Sequence, residues 1–113
     1  MVEKQDALVA ASPMARHLYN ELLAAITAIG PFQKEVKKTS IHLVRGSAFV
    51  GVHPRKEHLL LTIKAEKPIR SARISKTEQV SKNRWHLDLK LASNKEIDSE
   101  LIAWLRQAYD LCL

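Results

Sequence analysis

Residues 84–91, RWHLDLKL, put Trp85, Leu87, Leu89 and Leu91 at every second position, with His86, Asp88 and Lys90 between them. Successive side chains of a strand point to opposite faces, so this stretch predicts a β-strand with one buried and one polar face. A strand of that kind needs an apolar layer to lie against, and the chain offers a helical one on each side of its middle. On the C-terminal side, Ser93-Asn94-Lys95-Glu96 reads as a capping box. Behind it Ile97, Leu101, Trp104, Leu105 and Ala108 form an apolar stripe, and Asp98 and Glu100 stand in the first turns, where the helix dipole favours acids. On the N-terminal side, Ser12 is suited to cap a helix and Pro13 to occupy its first position. Leu18, Leu22, Ile26 and Ile29 then share one helical face, with Tyr19 and Leu23 beside it. Gly30-Pro31 is expected to end that helix through a left-handed cap at the glycine.

Between the helices the pattern changes to short strands. TSIHLV leads into Arg45-Gly46-Ser47, a tight turn, and then into AFVGVH, so residues 40–53 read as a β-hairpin. In EHLLLTIKA, Leu59, Leu61, Ile63 and Ala65 fall on one face and His58, Leu60, Thr62 and Lys64 on the other; the leucine run suits a central strand. Lys67-Pro68 breaks it, and IRSARIS, residues 69–75, reads as a short edge strand or an extended loop. The fold class expected is α+β: an antiparallel sheet of about four to five strands, with an N-terminal and a C-terminal helix packed on one face. Residues 1–11 are expected to be a flexible N-terminal arm and residues 12–113 a single α+β domain.

The totals agree with one soluble globule: 113 residues, 46% apolar and 27% charged. No apolar run approaches the roughly 20 residues that span a bilayer. The opening MVEKQDALVA carries Glu3 and Asp6 and lacks the apolar segment and cleavage site of a secretory signal, so a cytoplasmic location with no membrane partner is expected. The single cysteine, Cys112, excludes an internal disulfide or a multi-cysteine metal site, and without a supporting base it reads as packing.

Charge is uneven along the chain. The net charge is +6, yet residues 31–95 hold fifteen Lys or Arg against five acids, and the remainder holds three against seven. Gathered on one sheet, the basic segment would attract a polyanion, nucleic acid above all; spread along strand edges, it would only guard against aggregation. The candidate phosphate contacts are Lys37, Lys38, Arg45, Arg55, Lys56, Arg70, Arg73, Lys76 and Arg84. Strand parity sends a second set, His42, His58, His86, Lys64 and Lys90, to the polar sheet face, where Thr62 and Asp88 would join them around a small anion. His53-Pro54-Arg55-Lys56-Glu57-His58 is either part of such a surface or a solvated turn.

Catalytic and cofactor signals are sparse. There is no nucleophile elbow, Gly-rich phosphate loop or paired carboxylate, and the histidines lack the H-E-x-x-H spacing, so no metal or cofactor is implied and a binding role is favoured over an enzyme. Gly51, inside a strand, marks a bulge, a close approach of something to the backbone, or space that a neighbouring side chain fills. Trp85 and Trp104 read as core; Phe49 alternates away from Val50 and Val52 and reads as exposed. Three function classes follow: a basic binding or accessory module for nucleic acid or another polyanion, a small-anion pocket protein or enzyme using the sheet-face histidines, and a protein-interaction module that meets a partner protein or a second copy.

The blocks KKTSIHLVRGSAFVGVHPRKEHLLLTIK, RISKTEQVSKNRWHLDLKL and WLRQAYDL, in that order, resemble the bacterial domain of unknown function numbered 5655, also loosely labelled a predicted transport protein, over roughly residues 18–111. The resemblance implies that similar domains occur alone or joined to restriction-type and other nucleic-acid-associated proteins. It brings no activity, ligand or catalytic residue, and no membrane segment here supports the transport label.

Overall fold

The computed structural model describes residues 12–112, and the arm expected over residues 1–11 lies outside them. Helix α1 (Pro13–Thr27) begins where Ser12 accepts the Ala15 amide at 3.1 Å, and Leu18, Tyr19, Leu22 and Ile26 form its buried face. Six strands follow, β1 (Gln33–Val36), β2 (Ile41–Arg45), β3 (Ser47–Pro54), β4 (Leu59–Ala65), β5 (Ile74–Ser81) and β6 (Arg84–Leu91), and helix α2 (Ser99–Leu111) completes the domain. They make one antiparallel sheet in the order β1-β2-β3-β4-β6-β5. Because β6 lies between β4 and β5, residues 66–73 must carry the chain from one end of the sheet to the other.

Alternation places the core. Ile41, Leu43, Val50, Val52, Leu59, Leu61, Ile63, Leu89 and Leu91 are buried in one cluster with Leu22 and Ile26 of α1 and Leu101, Leu105 and Ala108 of α2. Both helices therefore cover one face and leave the other open. Trp104 is buried as expected, whereas Trp85, near the start of β6, is half-buried.

Three local expectations change. The first concerns Gly30, which is not left-handed: Ala28 caps α1 in right-handed helical geometry, and the only positive φ among the described residues is 75° at Gly46, in the β2–β3 turn. A glycine is needed at 30 because a Cβ there would overlap the Tyr109 hydroxyl, which donates to the Pro31 carbonyl at 2.6 Å. Gly30→Ala is therefore expected to cost about 1–2 kcal/mol through overpacking, read as a lower urea midpoint at unchanged m-value.

The second concerns Phe49, which is fully buried rather than exposed. The β2–β3 register runs Leu43↔Val50 and then Val44↔Ala48, so Phe49 is the extra residue of a β-bulge and escapes strict alternation. Its ring packs edge-on against Phe32 and Tyr109, with centroids at 6.3 and 5.3 Å. The third concerns the capping box of Ser93 and Glu96, which closes a single 3₁₀ turn over Asn94–Glu96; α2 starts later, with Asp98 accepting the Leu101 amide at 3.0 Å.

Both outer strands are blunted as edges. β1 is only four residues long and carries Lys34 and Glu35, and β5 shifts register at Ser75 and again at Val80, with Lys76 and Glu78 in the piece between. Short length, bulges and charge are the devices that keep free strand edges from pairing with other chains.

Candidate anion-binding face

On the open face the register sets residues in rows across the sheet. One row runs Glu35, His42, Gly51, Thr62, Asp88 and Lys76, from β1 to β5 through the centre. The next row toward the β3–β4 turn holds His53, Leu60 and Lys90, and the next row the other way holds Lys64, His86 and Glu78. Gly51 contributes no side chain at the middle of this array. The result is a hollow of about 230 Å³ lined by His42, Gly51, His53, Thr62, Lys64 and His86, and bordered by the bulged segment Ala48, Phe49 and Val50.

The bulge at Phe49 and the gap at Gly51 shape this hollow together. A Cβ placed on Gly51 would stand 3.5 Å from His53 Nε2 and 3.7 Å from His42 Nε2, so the two imidazoles lean over the same bare stretch of backbone. Thr62 Oγ1 donates to Asp88 Oδ1 at 2.8 Å, which turns that carboxylate toward the hydroxyl, and Lys64 Nζ donates to Ser47 Oγ at 3.1 Å. Burial holds the His53 pKa below the usual 6.5, helped by the positive charge of Arg55 and of His42 and opposed by Asp88.

Of the residues assigned to a pocket by strand parity, His42, Lys64 and His86 line the hollow, and His58 and Lys90 do not. The last pair of the β3–β4 ladder is Pro54↔Leu59, which leaves His58 in the turn beyond it, free of strand alternation. His58 has a lowered pKa of its own, from burial and from the nearby Lys90 and Arg55, with Glu57 opposing. Lys90 lines a separate groove with Arg73 and Glu96. The residue that sequence reasoning missed is His53. It ends the strand read in AFVGVH and shares the parity of Gly51, and with β3 pairing on through Pro54 it faces the hollow.

The basic residues divide by position. Lys37 and Lys38 lie in the β1–β2 connection and Arg55 and Lys56 in the β3–β4 turn, at the same end of the sheet; all four are exposed, with Lys37 3.8 Å from Glu35. Arg70 is exposed in the crossover, Lys76 stands opposite Asp88 on β5, and Arg84 lies at the opposite end, donating to the Asn83 carbonyl at 2.7 Å.

Two arginines are engaged inside the domain. Arg45 lies 4.1 Å over the Tyr109 ring, donates to the Tyr109 carbonyl at 3.1 Å and sits 3.8 Å from Asp110. Arg73 joins the crossover to the start of α2, donating to Asp98 and Glu100 at 3.0 Å each and to the Glu96 carbonyl at 2.7 Å. Burial works against its charge, but the hydrogen bonds with Glu100 and Asp98 outweigh it and raise the Arg73 pKa. Such contacts leave these two guanidinium groups little freedom to meet an external phosphate.

Cys112 is buried, with Sγ 3.6 Å from the Ala48 carbonyl oxygen. Among the described residues there is no group of three or more His, Cys, Asp or Glu placed to hold a metal ion, and no helix long and apolar enough to cross a membrane. The family described as "Domain of unknown function (DUF5655)" matches residues 5–112, and the chain belongs to that family. No curated protein and no solved structure matches it significantly.

Proposed function

We propose that this DUF5655 domain is a polyanion-binding module that contacts the backbone of nucleic acid, without reading its sequence, through one end of the sheet and the adjoining open face. The observation that carries the reading is the grouping of Lys37, Lys38, Arg55 and Lys56 in two neighbouring connections beside the His53 side of the hollow. Exposed cations at the ends of adjacent hairpins can follow a phosphate chain, and phosphate contacts fix position while carrying no base information. The shortage of exposed aromatic side chains on this face fits backbone contact better than base stacking.

Fluorescence anisotropy with labelled single-stranded and duplex DNA and RNA across a salt series tests this. Affinity should fall steeply with salt and depend little on sequence. Arg55→Glu/Lys56→Glu should weaken every probe alike and flatten the slope of log K against log salt by about two, one for each phosphate contact removed. Absence of binding at low salt, or binding indifferent to salt, would reject the reading and turn attention to protein partners.

A further inference from the structure

We propose that the hollow over Gly51 is a discrete site for one tetrahedral oxyanion of the phosphate class, held by the imidazoles of His42, His53 and His86 and the ammonium of Lys64. The inference rests on the hollow alone and does not require the hairpin-end cations to bind nucleic acid. Four nitrogen-bearing side chains from β2, β3, β4 and β6 line one concavity, and among the described residues that line it there is no carboxylate. The floor is bare backbone at Gly51, and the Nε2 atoms of His42 and His53 can be no farther apart than the sum of their distances to its missing Cβ. Two N–H donors that each reach an oxygen at about 2.9 Å, on one tetrahedral ion, require a separation of that order. A neutral imidazole already donates from one nitrogen, but only the protonated ring sets a positive charge against the oxyanion, so anion binding is expected to favour proton uptake.

The charges around the imidazoles are mixed. His42 stands opposite Glu35 on β1, His86 opposite Glu78 on β5 and Lys64 on β4, and Asp88 lies two positions along the row from Gly51, past Thr62, with Lys76 beyond it. Arg55 opposes protonation of His53 from the turn, and Lys90 lies in the row of His53. With its folded pKa below 6.5, His53 stays neutral at a pH where the unfolded chain already binds a proton. Stability without an anion is therefore expected to decline as pH falls below the unfolded value and on through the folded one. A bound oxyanion should reverse that decline by favouring the charged imidazole.

Sulfate is the probe, since its charge is constant across the imidazole range, with chloride at equal ionic strength as control. Imidazole resonances of the full chain are followed by NMR between about pH 8 and about pH 5.5. Saturable shifts of His42, His53 and His86, with affinity rising up to about tenfold per pH unit for each proton taken up, are expected. Gly51→Ala should abolish saturation: its Cβ fills the floor at ordinary contact distance and needs no unusual backbone. Lys64→Met, on a side chain whose hydrogen bond is to Ser47 at the surface, should weaken binding at least tenfold and serves if Gly51→Ala disturbs the sheet. Competition by inorganic phosphate or by oligothymidylate without terminal phosphates then separates a free phosphate source from a backbone diester. Linear, unsaturable shifts, or saturation unchanged in both variants, would overturn the proposal even where nucleic-acid binding holds.

Discussion

Replacing Phe49 by alanine is expected to remove about 3–5 kcal/mol of folding stability, the range for deleting a fully buried phenyl ring. The ring has no exposed surface and meets Phe32 from the segment after α1 and Tyr109 from α2, so the cavity would open where sheet and both helical ends converge. Collapse is restricted there because Tyr109 is itself tied to the Pro31 carbonyl and stacked beneath Arg45. Since a domain of this size is stable by only about 5–15 kcal/mol, urea titration should show a large drop in midpoint. Phe49→Leu should lose less than half as much. The bulge that turns Phe49 inward also brings Phe49 and Val50 to the edge of the hollow, so Phe49→Ala should weaken sulfate binding under conditions where it is still folded. A loss below about 1 kcal/mol would mean that the ring is not part of the core.

How far such a position is legible in sequence depends on whether its environment is periodic. The two helices and β2, β3, β4 and β6 each bury one face and expose another, and their apolar spacing announces them. Strands β1 and β5 bury almost nothing on either face, so no alternation marks them; they exist because a neighbour offers a ladder of hydrogen bonds. Phe49 fails for the opposite reason. A bulge inserts one residue and breaks the count of two, and nothing in AFVGVH marks where the insertion falls. The hollow was half legible: parity put His42, Lys64 and His86 on one face, but pairing of Pro54 with Leu59, which keeps His53 on the same face and leaves His58 off it, is a property of the ladder.

Arginine side chains show the same limit, because composition counts charges without showing what they touch. Arg73 belongs by sequence to the basic segment, yet its guanidinium spans the gap between the crossover and α2, 5.5 Å from the centre of the Trp104 ring. Arg73→Met keeps most of the stem and removes the charge. Asp98 and Glu100 are solvent-exposed and their ion pairs add little, so the loss comes mainly from the Glu96 carbonyl bond and the Trp104 contact. Those together predict about 2 kcal/mol, read from the urea midpoint. Asp98 has its pKa lowered first by the Leu101 amide and then by Arg73, so it contributes stability above the unfolded pKa of 3.8 that is lost as pH falls through the folded value. Arg73→Met should therefore also narrow the difference in stability between neutral and strongly acidic solution. Nucleic-acid affinity and its salt slope, measured where the variant is folded, should remain those of the wild type. A flatter slope with unchanged stability would instead make Arg73 a phosphate ligand, and the polyanion surface would then have to extend across the crossover to the start of α2.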